Sequence, residues 1–162
     1  MFKVSTRIFS GIKVHPTDDE CQIVTVVDGT VHYIGQMKHG KRNGQGKYID
    51  VSENVEYDGE WLDDNVHGSG AIRNTVNGLT FIGQFKHNEL SFGTMVWPNG
   101  STYTGSFEKY EMHGNGKLEW PTGEGYEGEF THGKITGYGI YTDPKGVVHK
   151  GDYVDGKQIK QV

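Results

Sequence analysis

The chain has 162 residues, enough for one domain. Glycine supplies 25 of them, about twice the usual share. Apolar residues make up only 33% and aromatics 12%, so the core rests on Tyr, Phe and Trp more than on aliphatics, and this content excludes disorder. The net charge of −5 argues against nucleic acid as a partner, because neutralising phosphates needs a basic face.

The N-terminal MFKVSTRIFSGIKVH alternates apolar and polar residues. It lacks the apolar run of roughly 7–15 residues that marks a signal peptide. No stretch reaches the ~20 apolar residues that cross a bilayer. Cys21 is the single cysteine, so no internal disulfide is expected. The expectation is a cytoplasmic protein. Phe9-Ser10-Gly11 stands 24 residues before Tyr33, and 22–27 has the pattern of a strand before the turn Asp28-Gly29. Glu20-Cys21-Gln22 replaces the Gly-x-Gly seen later in the chain, so residues 1–32 read as a degenerate N-terminal capping repeat.

Five segments then share one frame, starting at Tyr33, Tyr57, Phe81, Tyr103 and Tyr126, spaced 24, 24, 22 and 23 residues apart. A partial sixth starts at His149. In Tyr57-Asp58-Gly59-Glu60-Trp61 every second residue is aromatic or glycine and those between are polar, the period of a strand with one buried face. The second half of each unit repeats the alternation, as in Gly116, Leu118 and Trp120. Each unit is therefore a hairpin, and turn signals such as Pro98-Asn99-Gly100 separate the units. Glycine at an inward strand position weakens a strand unless a ring covers the bare backbone, so each glycine is expected beneath a neighbouring aromatic. The third unit lacks one loop residue, and Ser91 stands where Gly114 stands in the next. The expected fold is all-β: an elongated, twisted, single-layer antiparallel β-meander over 33–156, with 157–162 as a tail.

The frame Y-x-G-x-W/F followed by H/N-G-x-G resembles the MORN repeat (membrane occupation and recognition nexus), and YDGEWLDDNVHGSG at 57–70 is close to the family pattern. The resemblance implies a twisted β-meander curved into a groove. It also implies a scaffold for protein assembly in cytoskeletal, ciliary or junctional settings, in some members with a link to membranes or end-to-end self-association.

Candidates for chemistry are weak. His39, His87 and His132 fall in one column of the repeat, and His67 and His113 in another. Equivalent positions one repeat apart lie about 10 Å apart, too far to share a metal along a column, so no metal is expected. Asp58 with Glu60, and Glu127 with Glu129, face away from the rings on a solvated side. No G-x-S-x-G and no Walker loop occurs. The expectation is a non-enzyme without cofactor. The aromatic stripe Tyr33, Tyr57, Trp61, Phe81, Phe85, Tyr103, Phe107, Tyr126 and Phe130 is the candidate groove for a protein partner, a helical segment or cytoskeletal protein. Most of each ring is expected to be structural, with edges and hydroxyls left for the partner. A second reading is a membrane adaptor meeting acidic lipid through Lys38, Lys41, Arg42 and Lys47. A third is self-assembly, such as a homodimer, through open sheet edges.

Overall fold

The computed structural model describes residues 22–162; Cys21 and Phe9-Ser10-Gly11, with most of the expected capping repeat, lie outside them. Thirteen strands follow. They are β1 (Gln22–Asp28), β2 (Val31–Lys38), β3 (Lys41–Asp50), β4 (Val55–Leu62), β5 (Asn65–Asn74), β6 (Thr80–Lys86), β7 (Glu89–Val96), β8 (Thr102–Glu108), β9 (Glu111–Glu119), β10 (Gly125–Thr131), β11 (Lys134–Thr142), β12 (Val148–Val154) and β13 (Lys157–Gln161). They form one open antiparallel sheet whose strand order is the chain order, with no helix among the described residues. The expected all-β meander of hairpins is what forms. One boundary moves: residues 157–161 are not a tail but strand β13, paired with β12 from Val154↔Lys157 to Gly151↔Gln161.

The chain divides into two compact units, the first ending at Glu89 and the second beginning at Leu90. The division falls in the third repeat, the one whose loop is a residue short.

In the first unit the glycines of successive strands pair directly: Gly35 with Gly46, Gly46 with Gly59, Gly59 with Gly70 and Gly70 with Gly83. In the second unit the row runs Gly93, Gly105, Gly116, Gly128, Gly139 and Gly151. A tyrosine ring lies over the two glycines of four of these pairs. A Cβ added at Gly59 would meet Tyr57 Oη at 2.6 Å, and one at Gly70 would strike the same ring. Tyr33 does this for Gly35 and Gly46, Tyr103 for Gly105 and Gly116, and Tyr126 for Gly128 and Gly139. The repeated glycine is therefore the space a flat ring occupies, and only hydrogen fits there.

The ring's hydroxyl is fixed as well. Tyr33 Oη donates to the Gln36 carbonyl at 2.7 Å, Tyr57 to that of Glu60 at 2.8 Å and Tyr103 to that of Ser106 at 3.0 Å. The fifth-position ring then packs edge-on against these tyrosines. Trp61 meets Tyr33 and Tyr57 at 5.6 and 5.1 Å in the first unit, and Phe130 meets Tyr103 and Tyr126 at 4.9 and 5.4 Å in the second. Such T-shaped pairs add about 0.5–1.5 kcal/mol each beyond burial.

Beyond these four glycine pairs, each within a hairpin, the register shifts, so the second strand carries a bulge. Its first residue is a left-handed glycine, with φ 93° at Gly44 and 61° at Gly68 and Gly137. The fourth residue of the frame seals the bulge from the solvent side. Gln36 Oε1 accepts the Gln45 N–H at 2.6 Å, Glu60 Oε1 that of Ser69 at 2.8 Å and Glu129 Oε1 that of Tyr138 at 3.3 Å.

Candidate partner-binding site

The nine rings of the expected groove all lie on the inner face of the sheet, as the alternation demands. They are closed off there: each is less than 8% exposed, and Tyr57 and Tyr103 are at 0%. Their edges face one another and the hydroxyls of Tyr33, Tyr57 and Tyr103 are bonded to backbone. The rings are core, and the expectation that their edges and hydroxyls offer a surface is corrected by this packing.

The basic loop divides. Lys41 is exposed, with Nζ 3.8 Å from Asp63, while Lys47 is exposed and paired across the ladder with Asp58. Lys38 is half-buried. Arg42 is 0% exposed and unavailable to any lipid. Its guanidinium lies 4.1 Å above the Trp61 ring, Nε meets Asp64 Oδ1 at 3.2 Å and a terminal nitrogen donates to the Asp64 carbonyl at 3.0 Å. Burial lowers its pKa, and the hydrogen bond and charge of Asp64 oppose that shift. Register explains the position. Arg42 pairs with Met37 as Val66 pairs with Trp61 and Ile135 with Phe130, so it occupies a core column filled elsewhere by aliphatics. A loop-like run of charges hid this from the sequence; only the frame count from Gly46 back to position 42 carries the signal.

The two histidine columns meet pairwise. His67 and His87 have ring centroids 5.7 Å apart, as do His113 and His132. Glu108 lies 3.6 Å from His113 Nε2, and Glu111 3.4 Å from His132 Nδ1. Among the described residues, no group of three or more His, Cys, Asp or Glu is arranged to hold a metal ion. Asp58 and Glu127 are exposed, as expected of the solvated side. Glu60 and Glu129 have the further structural task of sealing the bulges.

An accessible apolar surface exists on the inner face of the second unit, where the sequence did not single it out. A cleft of about 530 Å³ is walled by Trp120, Tyr141 and His149 and floored by Ile135, Tyr126 and Tyr153. Trp120, Tyr141 and Ile135 are half-buried, unlike the closed rings of the stripe. The cleft is braced: Tyr141 Oη donates to Glu124 Oε1 at 2.6 Å, and its ring lies 5.9 Å from that of His149. That hydrogen bond raises the Tyr141 phenol to about 12 and lowers the Glu124 carboxyl. Asp143, 3.8 Å from His149 Nε2, is kept below the usual carboxylate range chiefly by the Val147 N–H. The signal in sequence was the weakened frame of the last unit, with His149 in the tyrosine position.

The MORN repeat family model matches residues 33–55, 57–71, 81–102, 103–125 and 126–148. Comparison with curated proteins gives no match.

Proposed function

The chain belongs to the MORN-repeat family, and on that premise we propose that it is a non-catalytic binding module whose inner-face cleft takes an apolar segment of a protein partner. The family supports binding in the broad sense, to protein or membrane. The observation that favours protein is the cleft itself. Its volume falls in the range of ligand sites, roughly 300–1,000 Å³, and its walls are half-buried aromatic rings with one histidine. Tyr and Trp on such a surface are typical binding hot spots. A helix laying an apolar face between Trp120 and Tyr141 is the fitting mode. The basic loop supports lipid less well, with Arg42 buried and Lys41 and Lys47 each opposite an aspartate.

The test is selection of binders from a random peptide library, followed by affinity measurement on Trp120→Ala and Tyr141→Ala variants. Truncating a buried aromatic hot spot costs about 2 kcal/mol or more, so binding should weaken at least thirtyfold in each variant. Selected peptides that bind both variants as tightly as the parent would falsify the cleft as the site. Salt-sensitive sedimentation with phosphoinositide vesicles, lost in a Lys41→Ala, Lys47→Ala variant, would favour the membrane reading instead.

A further inference from the structure

On the opposite, outward face of the second unit, a depression of about 530 Å³ crosses the strands along the glycine row. Side chains on either side of each glycine form its two walls. Across four strand spacings it runs about 19 Å. Phe92 and Tyr138 stand on its rim, 54% and 47% exposed. Both sit directly before a row glycine, where the first unit has Gln45 and Ser69 and the second also has Asn115. Nothing in the repeat calls for a ring there. The position faces solvent and the core is already filled from the other side.

The charges on the depression lean acidic, two carboxylates to one ammonium. Glu127 and Glu129 project from β10 beside Gly128, and both are exposed. Lys117, the cation on the rim, stands opposite Glu127 across the ladder, as Lys47 stands opposite Asp58 in the first unit, and also bonds Glu119 at 2.6 Å, so carboxylates outnumber it. The corresponding depression of the first unit, about 450 Å³, is lined by Lys47 and Asp58 in balance and has no exposed ring at the Gln45 position.

We infer that the outward groove of the second unit binds an extended, arginine-bearing peptide segment. The floor's backbone groups are spent in the strand ladder, so recognition falls to the walls. Arginine suits them: its planar guanidinium stacks on Phe92 or Tyr138 while pairing with a carboxylate. At ~3.1 Å per residue in a polyproline conformation, about six residues span the groove. The occupant is distinct from that of the inner cleft.

The test uses a fluorescein-labelled hexapeptide of alternating arginine and proline, titrated against the whole chain by fluorescence anisotropy. Phe92→Ser and Tyr138→Gln copy residues the first unit already carries, so the fold is kept, and thermal melting checks this. Expected is saturable binding, weakened about fivefold by each of these variants through loss of the stacking contact. Glu127→Lys weakens it about tenfold or more. Trp120→Ala, on the inner face, leaves it unchanged. The inference is overturned if the parent shows no saturable binding, or if Glu127→Lys and Phe92→Ser bind as the parent does. Equal binding of the matching lysine–proline peptide overturns the assignment to arginine.

Discussion

In the first unit Asp64 and Asn88 stand at the turn position where the second has Gly133 and Gly156. All four are left-handed, with φ of 68°, 69°, 77° and 77°. All four backbone N–H groups reach back to the carbonyl of the preceding hairpin, at Arg42, Val66, Met112 and Ile135. The aspartate and asparagine add a second clasp: Asp64 Oδ1 accepts the Arg42 N–H at 2.9 Å, and Asn88 Oδ1 that of Val66 at 2.8 Å. Glycine adopts the backbone conformation at no steric cost but supplies no such bond. One frame thus admits two solutions at the same turn. The first unit ties two of its turns, at Asp64 and Asn88, while Gly40 fills the same place in its first hairpin, and it closes its rings. The second has glycine in two of these turns, and it leaves its inner cleft open and two rings on its outer face. Open surface and closure trade against each other within a single repeat type.

The largest test of this contrast is Asp64→Ala. It removes the clasp and leaves the Arg42 guanidinium buried over Trp61 without its carboxylate. Removing one partner of a buried ion pair costs about 3–5 kcal/mol. Urea unfolding should show that loss, and Arg42→Met combined with Asp64→Asn should restore most of it, since the neighbouring repeats fill this column with aliphatics. If Asp64→Ala costs under about 1 kcal/mol, as an exposed pair would, the buried pair is not what ties the first unit.

Next comes a change that should not distinguish the units. Gly70→Ala drives a methyl into Tyr57, and Gly116→Ala drives one into Tyr103. Overpacking of this kind costs about 1–3 kcal/mol. Both variants should be destabilised alike in chemical denaturation, because the ring is held by the same hydroxyl-to-carbonyl bond in each. A tolerated Gly116→Ala beside a damaging Gly70→Ala would mean that the second unit's looseness extends to its core.

The alternation of ring, glycine and ring made the hairpins, the inward face and the covered glycines legible, since each follows from period two and from the volume of a ring. What the sequence concealed depends on cross-strand register. Arg42 reads as a loop cation until its partner is known to be Met37. Glu60 reads as a solvated acid until the bulge at Gly68 brings the Ser69 N–H to it. Phe107 and its fellows read as a groove because one sheet was expected to leave an open face, whereas the edge-on packing of successive rings closes it. The cleft at Trp120 went unseen because it arises where that packing lapses, and a lapse has no motif.

The smallest effect is a pH dependence that arises in the second unit's core. Burial raises both Tyr103 and Tyr126 to about 12, against about 10 for a free phenol. The folded state therefore keeps protons that the unfolded chain gives up first. Stability from these groups is fully present below about pH 10 and is lost as pH rises through about 12. Denaturation midpoints should fall across that window, alongside late tyrosinate absorbance. Lys117 and Lys134, whose pairs with Glu119 and Asp155 raise them, also lose charge at high pH. Tyr103→Phe isolates the share of Tyr103 from that of Tyr126, Tyr141 and the lysines. It should cost about 1 kcal/mol at neutral pH, through the lost bond to the Ser106 carbonyl, and should flatten part of the alkaline decline. If the decline is unchanged in that variant, groups other than Tyr103 carry it, and Tyr103 is less enclosed than its 0% exposure states.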